Sequence, residues 1–340
     1  MQLGRLLLVL LIFNGLFGLE SSAAGAEDRV AEAYRGKKIL WIDSYHAGYE
    51  WSDGIERGIR NALEGTGVDL IVWRLNSKRN TSEAYCREAG HRAKKVIDEY
   101  QPDVVIASDD NAQKYLVVPY LKDTDFPVVF CGLNCQPANY GYPCCRITGM
   151  CETDYIDALA RQMRNFAGGD RIGMLAGYTE SEKSVAHRYQ HIFGGRLKVY
   201  WVRTLSEYQR EFLRAQQEVD ILYLGNNAGI ADWDDAAAEV FMMENIRIPT
   251  GAVLPWMKKQ VVFTLAKLPE EQGEYAAATA LRILAGSRPE DIPLCHNKLA
   301  HLSVNLKMAK AVGLILPVSL LKTAEVIGQE AFQQSIAQGQ

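Results

Sequence analysis

Twice along this 340-residue chain, short runs of β-branched and aliphatic residues alternate with stretches whose apolar residues recur every three or four positions. In the first round, strands are predicted at residues 38–43 (KILWID), 68–75, 103–107 (DVVIA) and 128–131. Between them, Ile55, Ile59 and Leu63 mark one face of a helix that Gly65 ends. Ala89, Ala93, Val96 and Ile97 mark a second, and a third is expected from about Ala112 to Leu121. The second round opens with a helix lined by Ile156, Leu159, Ala160 and Met163. Strands at 171–176 (RIGMLA), 197–202, 220–224 (DILYL) and 248–254 follow, with helices over 182–193, 206–217 and 236–244. Strands that are apolar at every position suit a sheet covered on both faces, and a helix after each strand is the crossover of a parallel sheet.

Each round covers roughly 110 residues, a usual domain size, and no linker rich in Pro, Ser or Gly separates them. The expected fold class is α/β, with two doubly wound parallel-sheet lobes joined by a hinge of tight crossings. The N-terminal lobe takes residues 27–150 with part of 256–300, and the C-terminal lobe 151–255 with part of 301–328. Within those later parts, a strand is predicted at 261–265 and an Ala-rich helix over 271–284, stopped at Gly286. A short helix closed by Gly313 and a last helix opened by Pro317 follow the usual start and stop chemistry. Residues 329–340 form a polar, Gln-rich tail.

The start of the chain sets the expected compartment. A basic opening (residues 1–5), an apolar run (6–19) and small residues ending in Ala24-Gly25-Ala26 read as a signal peptide cleaved after Ala26. The apolar run has 14 residues, Asn14 and Gly15 among them, and falls short of the about 20 that cross a bilayer. The mature chain is expected to be periplasmic and soluble. Net charge is −4, from 37 Lys+Arg against 41 Asp+Glu, with no long basic run. Nucleic acid and anionic membrane surfaces need concentrated positive charge and are excluded as partners.

Seven cysteines follow, five of them within residues 131–151. In an oxidising compartment such clustering points to a local disulfide, with Cys135 joined to Cys144 or to Cys145, and an odd total leaves at least one thiol unpaired. The cluster lacks the paired C-x-x-C spacing and nearby histidine of structural zinc, so no metal is expected. Cys131 falls in a predicted buried strand, where cysteine is usually a small hydrophobe.

In open parallel sheets, ligands bind beyond the carboxyl ends of the strands. That rule turns the strand positions into candidate residues. In the first half they are Ser44, Tyr45, His46, Tyr49, Trp51, Ser108, Asp109, Asp110 and Asn134. In the second half they are Tyr178, Thr179, Glu180, Asn226, Asn227 and Trp256. The aromatic residues can sandwich a flat or apolar solute, the acids can hold an ammonium group, and the asparagines offer directional donors and acceptors. Each also has a plainer role: Asp110, Asn111 and Ser181 can serve as helix caps, and the aromatics can pack as core. No G-x-S-x-G elbow, P-loop, H-E-x-x-H or G-x-G-x-x-G after the first strand is present. No enzymatic activity and no cofactor are expected.

Residues 38–51 (KILWIDSYHAGYEW), 130–149 (FCGLNCQPANYGYPCCRITG) and 304–327 (VNLKMAKAVGLILPVSLLKTAEVI) resemble ABC-transporter substrate-binding proteins of the aromatic amino-acid type. The likeness covers nearly all of the mature chain, and the tail with its Asn-Leu-Lys, Ala-Lys-x-x-Gly-Leu and Pro-x-Ser-Leu-Leu pieces is its most specific part. The resemblance implies a type I periplasmic-binding-protein fold, three crossover strands and a solute trapped between lobes by hinge closure. It places ligand contacts at Asp109-Asp110, Asn134, Thr179 to Ser181 and Asn226-Asn227. Many family members carry Thr or Ser at the Asp109-Asp110 tip, so the ligand's identity does not transfer. The expected function is capture of a small organic solute, amino-acid-like or amine-bearing, for the membrane permease of an ABC importer, by a monomer. A free-standing sensing module for a signalling receptor is the alternative, and a secreted hydrolase working through Ser44 and His46 the third.

Overall fold

The computed structural model describes residues 32–134, 136–144, 146–227 and 229–329. The expected signal peptide and nearly all of the polar tail lie outside these residues, as do Cys135 and Cys145 of the expected disulfide. The chain divides into two units, Met1–Thr153 with Leu268–Lys298 and Asp154–Lys267 with Leu299–Gln340, and passes between them three times.

Unit 1 is a six-stranded sheet of β1 (Lys38–Asp43), β2 (Asp69–Arg74), β3 (Val104–Ser108), β4 (Val128–Leu133), β5 (Ile147–Cys151) and β11 (Cys295–His296). The order is β11-β5-β4-β3-β1-β2, and every pairing is parallel. The unbroken apolar runs are explained by what covers them. Ile39, Trp41, Val104 and Ile106 pack on one face with Ile55 and Ile59 of α1 (Glu50–Leu63) and with Ala276, Ala277 and Ala280 of α8 (Pro269–Leu284). Leu40, Ile42, Val105 and Phe130 pack on the other face with Ala89, Ala93 and Ile97 of α2 (Glu83–Tyr100) and with Leu116 and Val117. Burial on both faces removes apolar surface worth roughly 1.5–3 kcal/mol per large side chain, which is why alternation is absent. Helices α1 and α8 meet backbone to backbone. A Cβ on Gly58 would stand 2.1 Å from the Glu270 carbonyl oxygen, and one on Gly273 would stand 2.1 Å from that of Ile55.

Two expectations change here. The helix expected from Ala112 begins at Asp109: α3 (Asp109–Ala112) runs into a π-helical stretch, Gln113–Leu121, that contains Pro119. Proline has no N–H to donate, so the ordinary α ladder cannot pass through it. Strand β5 was not anticipated, because Ile147–Cys151 (ITGMC) is short and centred on glycine. Gly149 is what lets it close on β4, since a Cβ there would lie 2.2 Å from the Phe130 carbonyl oxygen.

Unit 2 repeats the winding. Its strands are β6 (Ile172–Gly177), β7 (Lys198–Val202), β8 (Ile221–Leu224), β9 (Thr250–Ala252), β10 (Phe263–Lys267), β12 (Ala300–Asn305) and β13 (Glu325–Ile327), in the order β13-β12-β10-β9-β8-β6-β7. Helices α4 (Ile156–Arg164), α5 (Glu180–Ile192), α6 (Leu205–Glu218) and α7 (Asp235–Asn245) belong to it. The sheet is not wholly parallel as expected, because β12 runs antiparallel to β10. β12 begins with exposed polar residues (AHLSVN), which hid it from a search for apolar runs. Asn305, at its end, caps α9 (Leu306–Val312) by accepting the N–H groups of Lys307 and Met308, and its amide donates to the carbonyls of Lys258 and Lys259. The helix after Pro317 is a single turn, α10 (Val318–Leu321). No helix among the described residues is long and apolar enough to cross a membrane.

In both units the first five strands share one order, β2-β1-β3-β4-β5 and β7-β6-β8-β9-β10. The winding therefore reverses between β1 and β3, and again between β6 and β8. Such switch points open a crevice at the strand ends, because the two flanking loops leave in opposite directions.

Candidate functional site

At the switch point of unit 1 the backbone is knotted by serine hydroxyls. Ser44 Oγ donates to the Ser108 carbonyl at 2.6 Å and accepts the Ala112 N–H at 2.8 Å. Ser108 Oγ accepts the Trp41 indole N–H at 3.2 Å. Both serines are fully buried. The strand-tip rule places them at the site, but their hydroxyls hold the frame and do not face solvent.

Directly after β3, Asp109 adopts a left-handed backbone (φ +67°), which Asp tolerates better than most residues. Its carboxyl is buried, with Oδ1 accepting the Trp51 indole N–H at 2.9 Å, while buried Oδ2 has no hydrogen-bond partner. Burial, then Glu152 and Asp43 nearby, drives this carboxyl well above the usual range, and the Trp51 hydrogen bond only partly opposes them. Asp110 turns the other way: it accepts the Tyr140 hydroxyl at 2.8 Å and the Asn134 N–H at 3.2 Å. Neither Asp110 nor Asn111 caps a helix; the Asn111 amide donates to Ser77 Oγ at 2.7 Å. Trp51 lies in the first turn of α1 rather than in a loop, with Tyr49 as the residue before it begins.

Aromatic rings gather beside these acids. Tyr45 and Tyr49 meet edge to face at 5.3 Å, the His46 ring tilts against Tyr49 at 5.8 Å, and the Lys78 ammonium lies about 5 Å from both tyrosine rings. The Tyr45 hydroxyl is pushed well above its ordinary pKa, first by burial and then by the charges of Asp109, Glu152, Tyr49 and Asp110. Glu152 and Tyr140 were not anticipated. Glu152 follows β5, a strand the sequence concealed, and Tyr140 sits in the 3₁₀ turn Pro137–Tyr140.

The tips of unit 2 have a different character. Tyr178 follows β6 and is 40% exposed, but its ring already carries the Lys183 ammonium at 3.9 Å and the Arg203 guanidinium at 4.0 Å, with Trp201 edge-on at 5.9 Å. Glu180 is paired with Lys183 at 2.6 Å. Thr179, not Ser181, caps α5 by accepting the Glu182 N–H. Asn227 accepts the indole N–H of Trp256 at 3.3 Å. Arg203, just beyond β7, is a tip residue that the sequence reading missed. Its backbone N–H donates to Glu207 at 2.7 Å and its carbonyl accepts the Ala231 N–H at 2.7 Å, which fixes the base of a side chain stacked on Tyr178.

Glu182 is the buried acid of this unit, accepting the Asn226 N–H at 3.2 Å. Burial pushes it up to about 7, against the Asn226 hydrogen bond that holds it down. A carboxyl raised in the folded state keeps its proton there at pH values where the unfolded chain has lost it. Its contribution to stability is therefore complete at acid pH and is lost as pH rises through about 7. Glu182→Gln keeps the acceptor without the charge. In denaturant titrations, its stability relative to the parent is expected to rise by about 3 kcal/mol between pH 5 and pH 8. A difference that does not change with pH contradicts the assignment.

Among the described residues no disulfide is formed, and Cys131 is buried in β4.

No protein-family model matches this sequence. No curated protein matches it either. Solved structures do match. The ligand-free, open structure of a substrate-binding protein with adhesive properties from Clostridium difficile aligns with a TM-score of 0.66 at 18% identity, over 86% of this chain and 99% of that one. A domain from Streptococcus pneumoniae determined in complex with L-Trp aligns at 0.59 and 17% identity, again over 86% and 99%. A LacI transcriptional regulator from Lactobacillus brevis aligns at 0.53 and 15% identity, over 78% and 99%. At these identities the likeness is one of fold, and the fold is that of type I periplasmic binding proteins, as the sequence led us to expect. Two further matches are ABC-transporter solute-binding proteins, one from Bradyrhizobium with bound bis-tris at a TM-score of 0.55 and one from Actinobacillus succinogenes with bound D-allose at 0.51.

Proposed function

We propose that this chain is an extracytoplasmic solute-binding protein that captures a small organic solute bearing an amine and delivers it to the permease of an ABC importer. The observation that carries this reading is the cluster of carboxyl groups and aromatic rings at the tips of unit 1. Asp109, Asp110 and Glu152 lie around the hydroxyl of Tyr45, beside the aromatic surfaces of Tyr49 and Trp51. An ammonium group with an apolar body suits that surface, since the rings remove water and strengthen a charge-assisted hydrogen bond to Asp110. Arg203, stacked on Tyr178, gives the tips of unit 2 a guanidinium fork of the kind that suits a carboxylate.

The reaction class is binding alone. A solute that binds one conformation of the chain more tightly than another turns its binding free energy into a population shift that a permease can read. The cleaved signal peptide and periplasmic location belong to this reading, as does a disulfide of Cys135 with Cys144 or Cys145.

A thermal-shift screen of amino acids, polyamines, nucleosides and small sugars tests it. An amine-bearing solute is expected to raise the melting temperature, because ligand bound only by the folded chain stabilises it. Asp110→Asn is expected to weaken that solute by about tenfold or more. It should leave a neutral solute of equal size unaffected. Equal binding of both solutes by parent and variant removes the ammonium assignment.

A further inference from the structure

Asp109 sits at the switch point of unit 1 in a state that an ordinary ligand-contacting carboxylate does not share. It is buried, one oxygen has a single neutral donor (Trp51), and the other has none. Its backbone is held in the left-handed region at the end of β3, where the Gln113 amide donates to its carbonyl at 3.4 Å.

Among the described residues, the groups shown to act on it are these, and none of them is a cation bound to its carboxyl. Asp43, on β1, is taken by the Arg74 guanidinium, by Ser52 Oγ at 2.8 Å and by the Tyr45 N–H at 3.0 Å. Arg74 is also held by Glu56 of α1. From β5 comes Glu152, from the start of α3 Asp110, from the loop after β1 Tyr45, and from β4 the buried Cys131 thiol. On α8, Gln272 is neutral, and its oxygen accepts the Gly132 N–H at 2.8 Å. Lys78 lies over the rings of Tyr45 and Tyr49. The elements packed on Asp109 thus present acids, a phenol, a thiol, an indole and an amide.

We propose that Asp109 carries a proton when the solute site is empty and releases it when a cationic solute docks on the neighbouring tips, so that capture is coupled to the loss of one proton. This rests on the reading that unit 1 takes an amine. The solute need not touch Asp109. A positive charge within about 4–6 Å favours the ionised form of a carboxyl by one to three pH units, and Trp51 carries the hydrogen bond from the site's aromatic surface to Oδ1. The direction of the shift at Asp109, upward from burial and from Glu152 and Asp43, agrees with an empty-state proton. The sign follows: affinity for a cation rises with pH, by up to tenfold per unit across the window between the bound and empty titration points. For an importer, this gives tighter capture in alkaline surroundings and easier release where protons are abundant.

Calorimetric titration with the amine found in the screen, in two buffers of different ionisation enthalpy at pH 7, counts the protons released. Close to one proton is expected for the parent and none for Asp109→Asn, whose affinity should also stop varying with pH. Asparagine is nearly isosteric and accepts left-handed backbone, so the variant is expected to fold; its melting curve checks this. Amine binding with no proton release in the parent overturns the proposal while leaving the amine reading intact. If no amine binds at any pH, the parent reading fails instead.

Discussion

Replacing Lys267 by methionine is expected to destabilise unit 2 by about 3–5 kcal/mol, the largest loss from any single polar substitution considered for this chain. Lys267 Nζ lies 2.6 Å from Asp154 Oδ1, and both side chains are 14% exposed. These two residues are the first and last of the segment Asp154–Lys267, so their contact ties together the ends of the stretch that builds most of unit 2. Tyr189 donates its hydroxyl to the other carboxylate oxygen at 2.7 Å. Burial raises the pKa of Asp154, but Lys267 and Tyr189 outweigh it and hold the carboxyl below its ordinary range. The stability this gives is present above the ordinary carboxylate range and is lost as pH falls through the folded-state value. Methionine fills the volume of the lysine stem, yet leaves a buried carboxylate with one neutral donor. The double change Asp154→Asn with Lys267→Met removes the stranded charge and should recover more than half of the loss. Urea titrations of parent, single and double variants check both statements; a loss under 1 kcal/mol in the single variant contradicts them.

Gly58→Ala is expected to cost unit 1 about 3 kcal/mol, although alanine is the better helix former. Alanine would ordinarily add about 1 kcal/mol to an exposed helix. At Gly58 its methyl would lie 2.1 Å from the Glu270 carbonyl oxygen and 2.9 Å from the Glu274 nitrogen. These are backbone atoms of α8 and cannot rotate away. Helix α8 belongs to the later segment of unit 1, Leu268–Lys298, and its contact with α1 is one of those that bind that segment to the rest of the unit. Gly273→Ala meets the Ile55 carbonyl in the same way. The two substitutions open the same interface, so their effects should sum to less than twice the single loss. An alanine variant at Gly58 as stable as the parent would show that the helices can part at no cost.

The sequence made the winding legible wherever a strand was buried on both faces. KILWID and DVVIA are β1 and, within a residue or two, β3, because short runs of adjacent β-branched and large apolar residues between turn signals suit a strand covered on both faces. The strands it hid were β5, β11, β12 and β13, which are short, carry glycine or polar residues, or lie toward a sheet edge. That failure carried over to the site. Glu152 was overlooked because β5 was, and Arg203 because the tip of β7 was not counted among the mouths of the sheet. The strand-tip rule picked Ser44, Ser108 and Asp109 by position alone and could not show which way their side chains turn. The serine hydroxyls bind backbone and Asp109 is buried under Trp51. Position follows from periodicity, whereas orientation depends on packing between residues far apart in sequence, such as Trp51 and Asp109.

The reading as a solute-binding protein is tested most directly by titrating the purified chain with its best amine-bearing solute and identifying what is released on denaturation. One solute per chain, bound saturably and recovered chemically unchanged, is the expected result. A solute returned cleaved or otherwise altered, or no saturable uptake of any small molecule, would contradict it.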